Sequence, residues 1–69
     1  MYTVVKNSGY GDIVIGRTTN SVYALEMAKK ALESNYLGTS WVETDDGEVV
    51  GQYEIQIDAP GYYRVVRVD

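Results

Sequence analysis

Only one stretch of this 69-residue chain repeats at the period of a helix, and that stretch constrains the fold most: "VYALEMAKKALESNYLG", residues 22–38. At about 100° per residue, Ala24, Leu25, Ala28, Ala31, Leu32 and Tyr36 share one face, while Tyr23, Glu26, Lys30 and Ser34 lie on or near the other. The preceding "TTNS" offers N-cap oxygens, Asn20 and Ser21 foremost, and Gly38 suits the left-handed position after a helix end. Alanines on the inward face imply a close approach to whatever the helix covers. One helix of this length covers one face of one sheet, so the opposite face is left to solvent or to a partner.

The remaining sequence reads as strands. "MYTVVK" and "DIVIGR" are rich in β-branched and aromatic residues around the loop "NSGYG", a hairpin in which a Ser8-Gly9 turn sets Val4 opposite Ile13 and Tyr2 opposite Ile15. After the helix, "TSWVET" and "VVGQYEIQID" flank Asp46-Gly47, a pair suited to the two positive-φ centres of a type I′ turn. That register pairs Thr44 with Val49, Glu43 with Val50, Val42 with Gly51 and Trp41 with Gln52. Alternation then turns Val42, Val49, Tyr53, Ile55 and Ile57 toward the helix, and Trp41, Glu43, Asp45, Glu48, Val50, Gln52, Glu54, Gln56 and Asp58 outward.

Pro60-Gly61, at the centre of a type II turn, leads into a last strand, "YYRVVRVD", with Ile55 opposite Val66, Tyr53 opposite Val68 and Glu54 opposite Arg67. Type II turns match hairpin twist less well than primed turns, and a slip of one residue here reverses the faces of the last strand. The predicted fold is one α+β domain over residues 1–69, in the order β-β-α-β-β-β: an antiparallel sheet of about five strands with one helix packed on one face. Strand order stays open, because the connections around the helix permit more than one neighbour for the first hairpin.

Composition narrows the chemistry. There is no Cys and no His, which removes disulfides, thiolate and imidazole catalysis and the usual ligands of zinc and transition metals. No cofactor is expected. A formal charge of −4 disfavours phosphate backbones and anionic lipid and favours basic partners. No apolar run approaches the roughly 18 residues of a membrane span, and "MYTVVKNSG" lacks a signal pattern, so a cytoplasmic protein is expected.

Three motif readings fail on spacing or setting. "DDGE" lacks the alternating twelve-residue ligand spacing of a calcium loop and is flanked by strands, so no metal site is assigned. "SGYG" leads into a strand, where a phosphate loop would open a helix. Seven Tyr and one Trp could stack nucleobases, but Trp41 lies among carboxylates, and Tyr2, Tyr36 and Tyr53 read as the edge of the core. A paired-carboxylate hydrolase needs a cleft that so small a sheet does not offer, and the chain is read as non-enzymatic.

The stretch "ETDDGEVVGQYEIQID", residues 43–58, holds six of the ten acidic residues and no Lys or Arg. Asp45, Asp46 and Glu48 suit a solvated hairpin tip. Glu43, Glu54 and Asp58 lie away from the tip and project to the same outer side. Trp41 joins them there beside Val50, Tyr63 and Val65, or is buried if the register shifts. The candidate partner-binding residues are therefore Trp41, Glu43, Asp45, Asp46, Glu48, Glu54, Asp58 and Tyr63.

In size, layout and charge, "RTTNSVYALEMAKKALES" as a single capped helix followed by "WVETDDGEVVGQYEIQID" as an acidic hairpin resembles small acidic phage-encoded inhibitors of the anti-CRISPR kind. The resemblance implies that carboxylates on a rigid sheet imitate nucleic-acid phosphates and occupy a basic groove of a host nuclease or defence complex, in the host cytosol. The expected partner is then a basic-surfaced protein or nucleoprotein complex, without direct contact to nucleic acid or membrane. The alternative is a self-assembling accessory module, a homodimer that buries Trp41 through its open sheet face or pairs through a free edge. A third reading is a small-ligand or nucleic-acid binder using Lys29, Lys30, Arg64 and Arg67.

Overall fold

The computed structural model describes residues 1–69. Its elements are β1 (Tyr2–Asn7), β2 (Asp12–Thr18), α1 (Ser21–Glu33), β3 (Thr39–Thr44), β4 (Val49–Ala59) and β5 (Tyr62–Arg67). The strands form one antiparallel sheet in the order β2-β1-β3-β4-β5, and α1 crosses one face of it. This is the expected α+β arrangement, and the order left open by the sequence is resolved by β3 pairing with β1.

Side-chain size sets how the helix sits. Asn20 caps α1, its Oδ1 accepting from the Tyr23 N–H at 3.0 Å, and Ala24, Ala28 and Leu32 on the inward face are fully buried. Ala24 and Ala28 meet Val4 and Val42, also fully buried, with Tyr2, Leu25, Met27, Val50 and Tyr53 around them. The approach is close enough for sheet side chains to reach helix carbonyls. The Ser40 hydroxyl donates to the Ala28 carbonyl at 2.7 Å, and the Lys6 ammonium donates to the Ala31 carbonyl and to Asn35 Oδ1, both at 2.8 Å. Lys6 thereby satisfies a carbonyl of the last helical turn and places a cation at the negative end of the helix dipole. Gly16 and Gly51 leave room for Met27 and Leu25, which a Cβ at either position would strike.

Three β-bulges decide which way the strands face, and each overturns an expected register. In the first hairpin the connection runs over residues 8–11 instead of turning at Ser8-Gly9. Val5 pairs with Val14 and Lys6 with Ile13, while Val4 pairs with Gly16, leaving Ile15 as the extra residue. Trp41–Gln52 and Val42–Gly51 pair as predicted, but Glu43 pairs with Val49, so Val50 bulges inward onto the core and Val49 is exposed. The tip is not a type I′ turn. Asp45 and Asp46 are central, with the Gly47 N–H donating to the Thr44 carbonyl at 2.9 Å, and only Gly47 takes positive φ, +83°. Asp46 keeps the negative φ natural to a residue with a side chain, and the following glycine absorbs the left-handed position.

The last hairpin turns at Pro60-Gly61 as expected, with Ala59 opposite Tyr62 and Gly61 at φ +82°. Asp58 then bulges, and beyond it Ile57 pairs with Tyr63, Ile55 with Val65, Glu54 with Val66 and Tyr53 with Arg67. The bulge accommodates the turn that hairpin twist tolerates poorly, and it reverses β5: Tyr63, Val65 and Arg67 lie on the helix side, Arg64 and Val66 on the open side. There Arg67 donates to the Val50 carbonyl at 3.1 Å and grips the Asp69 carboxylate through two nitrogens.

The helix ends one turn earlier than its periodicity suggests. Tyr36 takes φ +49°, its N–H donating to the Leu32 carbonyl at 2.7 Å, and its ring leaves the helix face to meet Tyr63, with 6.1 Å between centroids. Gly38 has φ +87°, as expected, but for a further reason: its Cα lies against the backbone of Asn7, and a Cβ would overlap the Asn7 carbonyl. Gly38→Ala should therefore cost about 2–4 kcal/mol in urea unfolding. Gly47→Ala, also at positive φ but in open space, should cost about 1 kcal/mol. Equal losses in the two variants would contradict the close approach at Asn7. The hydrogen bonds from Arg67 hold the Asp69 carboxyl below the ordinary carboxylate range. A depressed acid contributes stability above its unfolded pKa and loses it as pH falls through the folded value. Unfolding midpoints followed below about pH 4 should thus fall less steeply for Asp69→Asn than for the unaltered chain.

Candidate protein-binding face

With α1 on one side, the other side of the sheet is covered by no element of the chain. Directly opposed residues of antiparallel strands share a face, so the registers place Val14, Val5, Trp41 and Gln52 in one row across four strands of the open side. Arg17, Thr3, Glu43 and Val49 form the row on one flank. Asp12, Asn7, Thr39, Glu54 and Val66 form the row on the other. Val5 is only 5% exposed although no helix lies above it, because its cross-strand neighbours Trp41 and Val14 shield it.

Trp41 is half-buried at the middle of this face, and its indole Nε1–H donates to Glu43 Oε2 at 3.3 Å. The ring thus has one edge tied to a carboxylate, while its body covers Val5. The apolar neighbours expected for it were different. Val50, Tyr63 and Val65 all lie on the helix side, removed by the bulges at Val50 and Asp58, and Val5, with Val14 beyond it in the row, takes their place. No local signal in the sequence brings these two beside Trp41, because that depends on β1 pairing with β3.

The candidate acids separate into groups. Glu43 and Glu54 belong to the open face, Glu43 half-buried and Glu54 exposed. Asp45, Asp46 and Glu48 are exposed in the turn at one end of β3 and β4, with Asp45 3.5 Å from the amino group of Met1. Asp58 sits in a bulge and is ion-paired with Arg64 at 2.9 Å, so it brings no net charge to the face. Tyr63 is not on this face at all, since it lies on the helix side with its ring against that of Tyr36. The basic residues Lys29, Lys30, Arg64 and Arg67 do not converge: the lysines are on the exposed side of α1, Arg64 is on the open face and Arg67 is on the helix side.

Charge is unevenly divided between the two sides. The open face holds Asp12, Glu43, Glu54 and Asp58 against Arg17 and Arg64, two net negative charges, and the turn at one end of β3 and β4 adds Asp45, Asp46 and Glu48. The helix side holds Lys6, Lys29, Lys30 and Arg67 against Glu26, Glu33 and Asp69, one net positive. The negative excess of the chain is therefore shared between the open face that carries Trp41 and the turn at its end. No pocket opens in the surface, and no three carboxylates converge. No helix is long and apolar enough to cross a membrane. Comparison with protein-family models, with curated proteins and with solved structures gave no match.

A half-buried indole paired across strands with a buried valine should matter to folding. Trp41→Ala is expected to lower stability by about 1–3 kcal/mol, whereas Trp41→Phe, which keeps a ring over Val5, should recover most of that. Urea titration followed by far-ultraviolet circular dichroism reads both. Equal losses for the two would mean that the indole hydrogen bond, not the cover over Val5, is what counts.

Proposed function

We propose that this chain is a non-catalytic protein-binding inhibitor whose open sheet face docks on a basic-surfaced protein or nucleoprotein complex in the cytoplasm and occludes it. The reading is carried by one observation: the side of the sheet that has no cover presents Trp41 at its centre, with Glu43 and Glu54 on the same face and the acidic turn Asp45, Asp46 and Glu48 at its end. An aromatic side chain ringed by polar groups is the usual composition of an interface hot spot, and the surrounding charge selects the partner and speeds encounter. Glu43, Glu54 and the turn acids Asp45, Asp46 and Glu48 supply the field, and Trp41 supplies the anchor. A basic groove that ordinarily receives nucleic acid is the surface such a field fits best, the mode of action of the small acidic phage inhibitors that the layout resembles.

The balance of charge and contact gives the reading a direct test. Immobilised protein is exposed to host lysate beside two folded variants, Trp41→Phe and the double reversal Glu43→Lys with Glu54→Lys. Proteins of high isoelectric point should be retained by the unaltered chain, released as salt rises, and displaced by duplex DNA or RNA if the occupied groove is a nucleic-acid site. The double reversal should weaken retention at least about tenfold. Retention that is indifferent to the reversal and to salt would overturn the proposal.

A further inference from the structure

The sheet has two free edges, and they differ. β5 carries Arg64 and Arg67 within the strand, the kind of charge that keeps an edge from pairing with another chain. β2 carries no charge and no proline between Asp12 and Arg17. Its interior residues Ile13, Val14 and Ile15 are 56%, 55% and 42% exposed, three consecutive aliphatic side chains on a free strand.

The two charges that bound this apolar run are of opposite sign and are unspent. Arg64 pairs with Asp58 and Arg67 with Asp69, whereas Arg17 has no ion-pair partner, and Asp12 accepts only an amide hydrogen bond from Asn7 at 2.9 Å. In a strand of unbroken alternation, two residues five apart point to opposite faces. The bulge at Ile15 changes that: Asp12 lies opposite Asn7 and Arg17 opposite Thr3, both on the open face.

We infer that β2 is the contact edge of a homodimer, in which the β2 strands of two copies pair antiparallel about a two-fold axis perpendicular to the sheet. Such an axis reverses strand direction and keeps the face, so an open-face residue of one copy meets an open-face residue of the other. Asp12 then stands opposite Arg17 of the second copy and Arg17 opposite its Asp12. Ile13 stands opposite Gly16, and Val14 opposite Ile15 of the second copy on either side of the axis, where the two bends of the bulged strands coincide. The pairing joins the two sheets into one, with both helices on the same side and both Trp41 faces on the other. It satisfies two otherwise unpaired charges per copy and covers the exposed aliphatic run with its own kind.

The self-complementary charges give a test that does not depend on the open-face proposal. Asp12→Lys leaves only cations at the two ends of β2, and Arg17→Glu leaves only anions. Each variant, checked for folding by circular dichroism, should self-associate at least about tenfold more weakly than the unaltered chain in sedimentation equilibrium. Mixed in equal amounts, the two should associate with each other to about the extent of the unaltered chain, because every cation again meets an anion. A chain that stays monomeric as concentration rises would overturn the inference. So would a dimer that ignores both reversals, and one that ignores them but is lost in Trp41→Phe would assign the contact to the open face.

Discussion

The seating of α1 on the sheet is the constraint on which the other features depend. Ala24 and Ala28 have side chains small enough to bring the helix backbone within reach of Ser40 and Lys6, whose donors bond the Ala28 and Ala31 carbonyls. Larger side chains at those positions would lift the helix, and the two polar groups would be buried without partners, at a cost comparable to the whole margin of so small a domain. Gly16 and Gly51 complete the fit from the sheet side by admitting Met27 and Leu25. With few fully buried side chains available, close approach takes the place of bulk in this core.

Because one helix covers one face, the facing of every sheet residue is a functional matter, and the three bulges set it. Each bulge places one more residue on its strand than the partner has, and beyond that point the strand turns its other face to the helix. The bulge at Val50 brings a valine to the core and leaves Val49 outside. The one at Asp58 moves Tyr63 and Val65 beneath the helix side and leaves Asp58 beside Arg64. The one at Ile15 puts Asp12 and Arg17 on the same side. The result is a sheet whose open side carries Trp41 with Glu43 and Glu54, with an acidic turn at its end, while lysines and Arg67 lie with the helix. Segregation of this kind would orient an approaching charged partner before contact, as the proposed docking face requires.

A good part of this was legible in the residues. The cap at Asn20, the inward row Ala24, Ala28 and Leu32, the turn at Pro60-Gly61, the pairing of Trp41 with Gln52 and the outward placement of Trp41, Glu43 and Glu54 follow from local rules of period, capping and turn geometry. Tyr63 and the neighbours of Trp41 did not follow. The position of Tyr63 depends on a register that a bulge shifts, and nothing local marks Ile15, Val50 or Asp58 as the extra residue; the neighbours of Trp41 depend on β1 pairing with β3. The turn at residues 44–47 shows the limit well: Asp46-Gly47 suits a type I′ turn, yet the chain places Asp45 and Asp46 at the centre and uses Gly47 to take up the positive φ.

By itself the sequence determined that there would be one helix, that it would approach closely, that five strands would supply one antiparallel sheet, and that acids would concentrate after residue 42. These are consequences of side-chain size, period and charge, all of which are local. Only the tertiary structure decided the strand order, the end of the helix at Glu33, the close approach of Gly38 to Asn7 and the division of charge between the two sides. Each of these depends on which distant segments meet and in what register. A shift of one residue, invisible to local pattern, exchanges the buried and open faces of a strand.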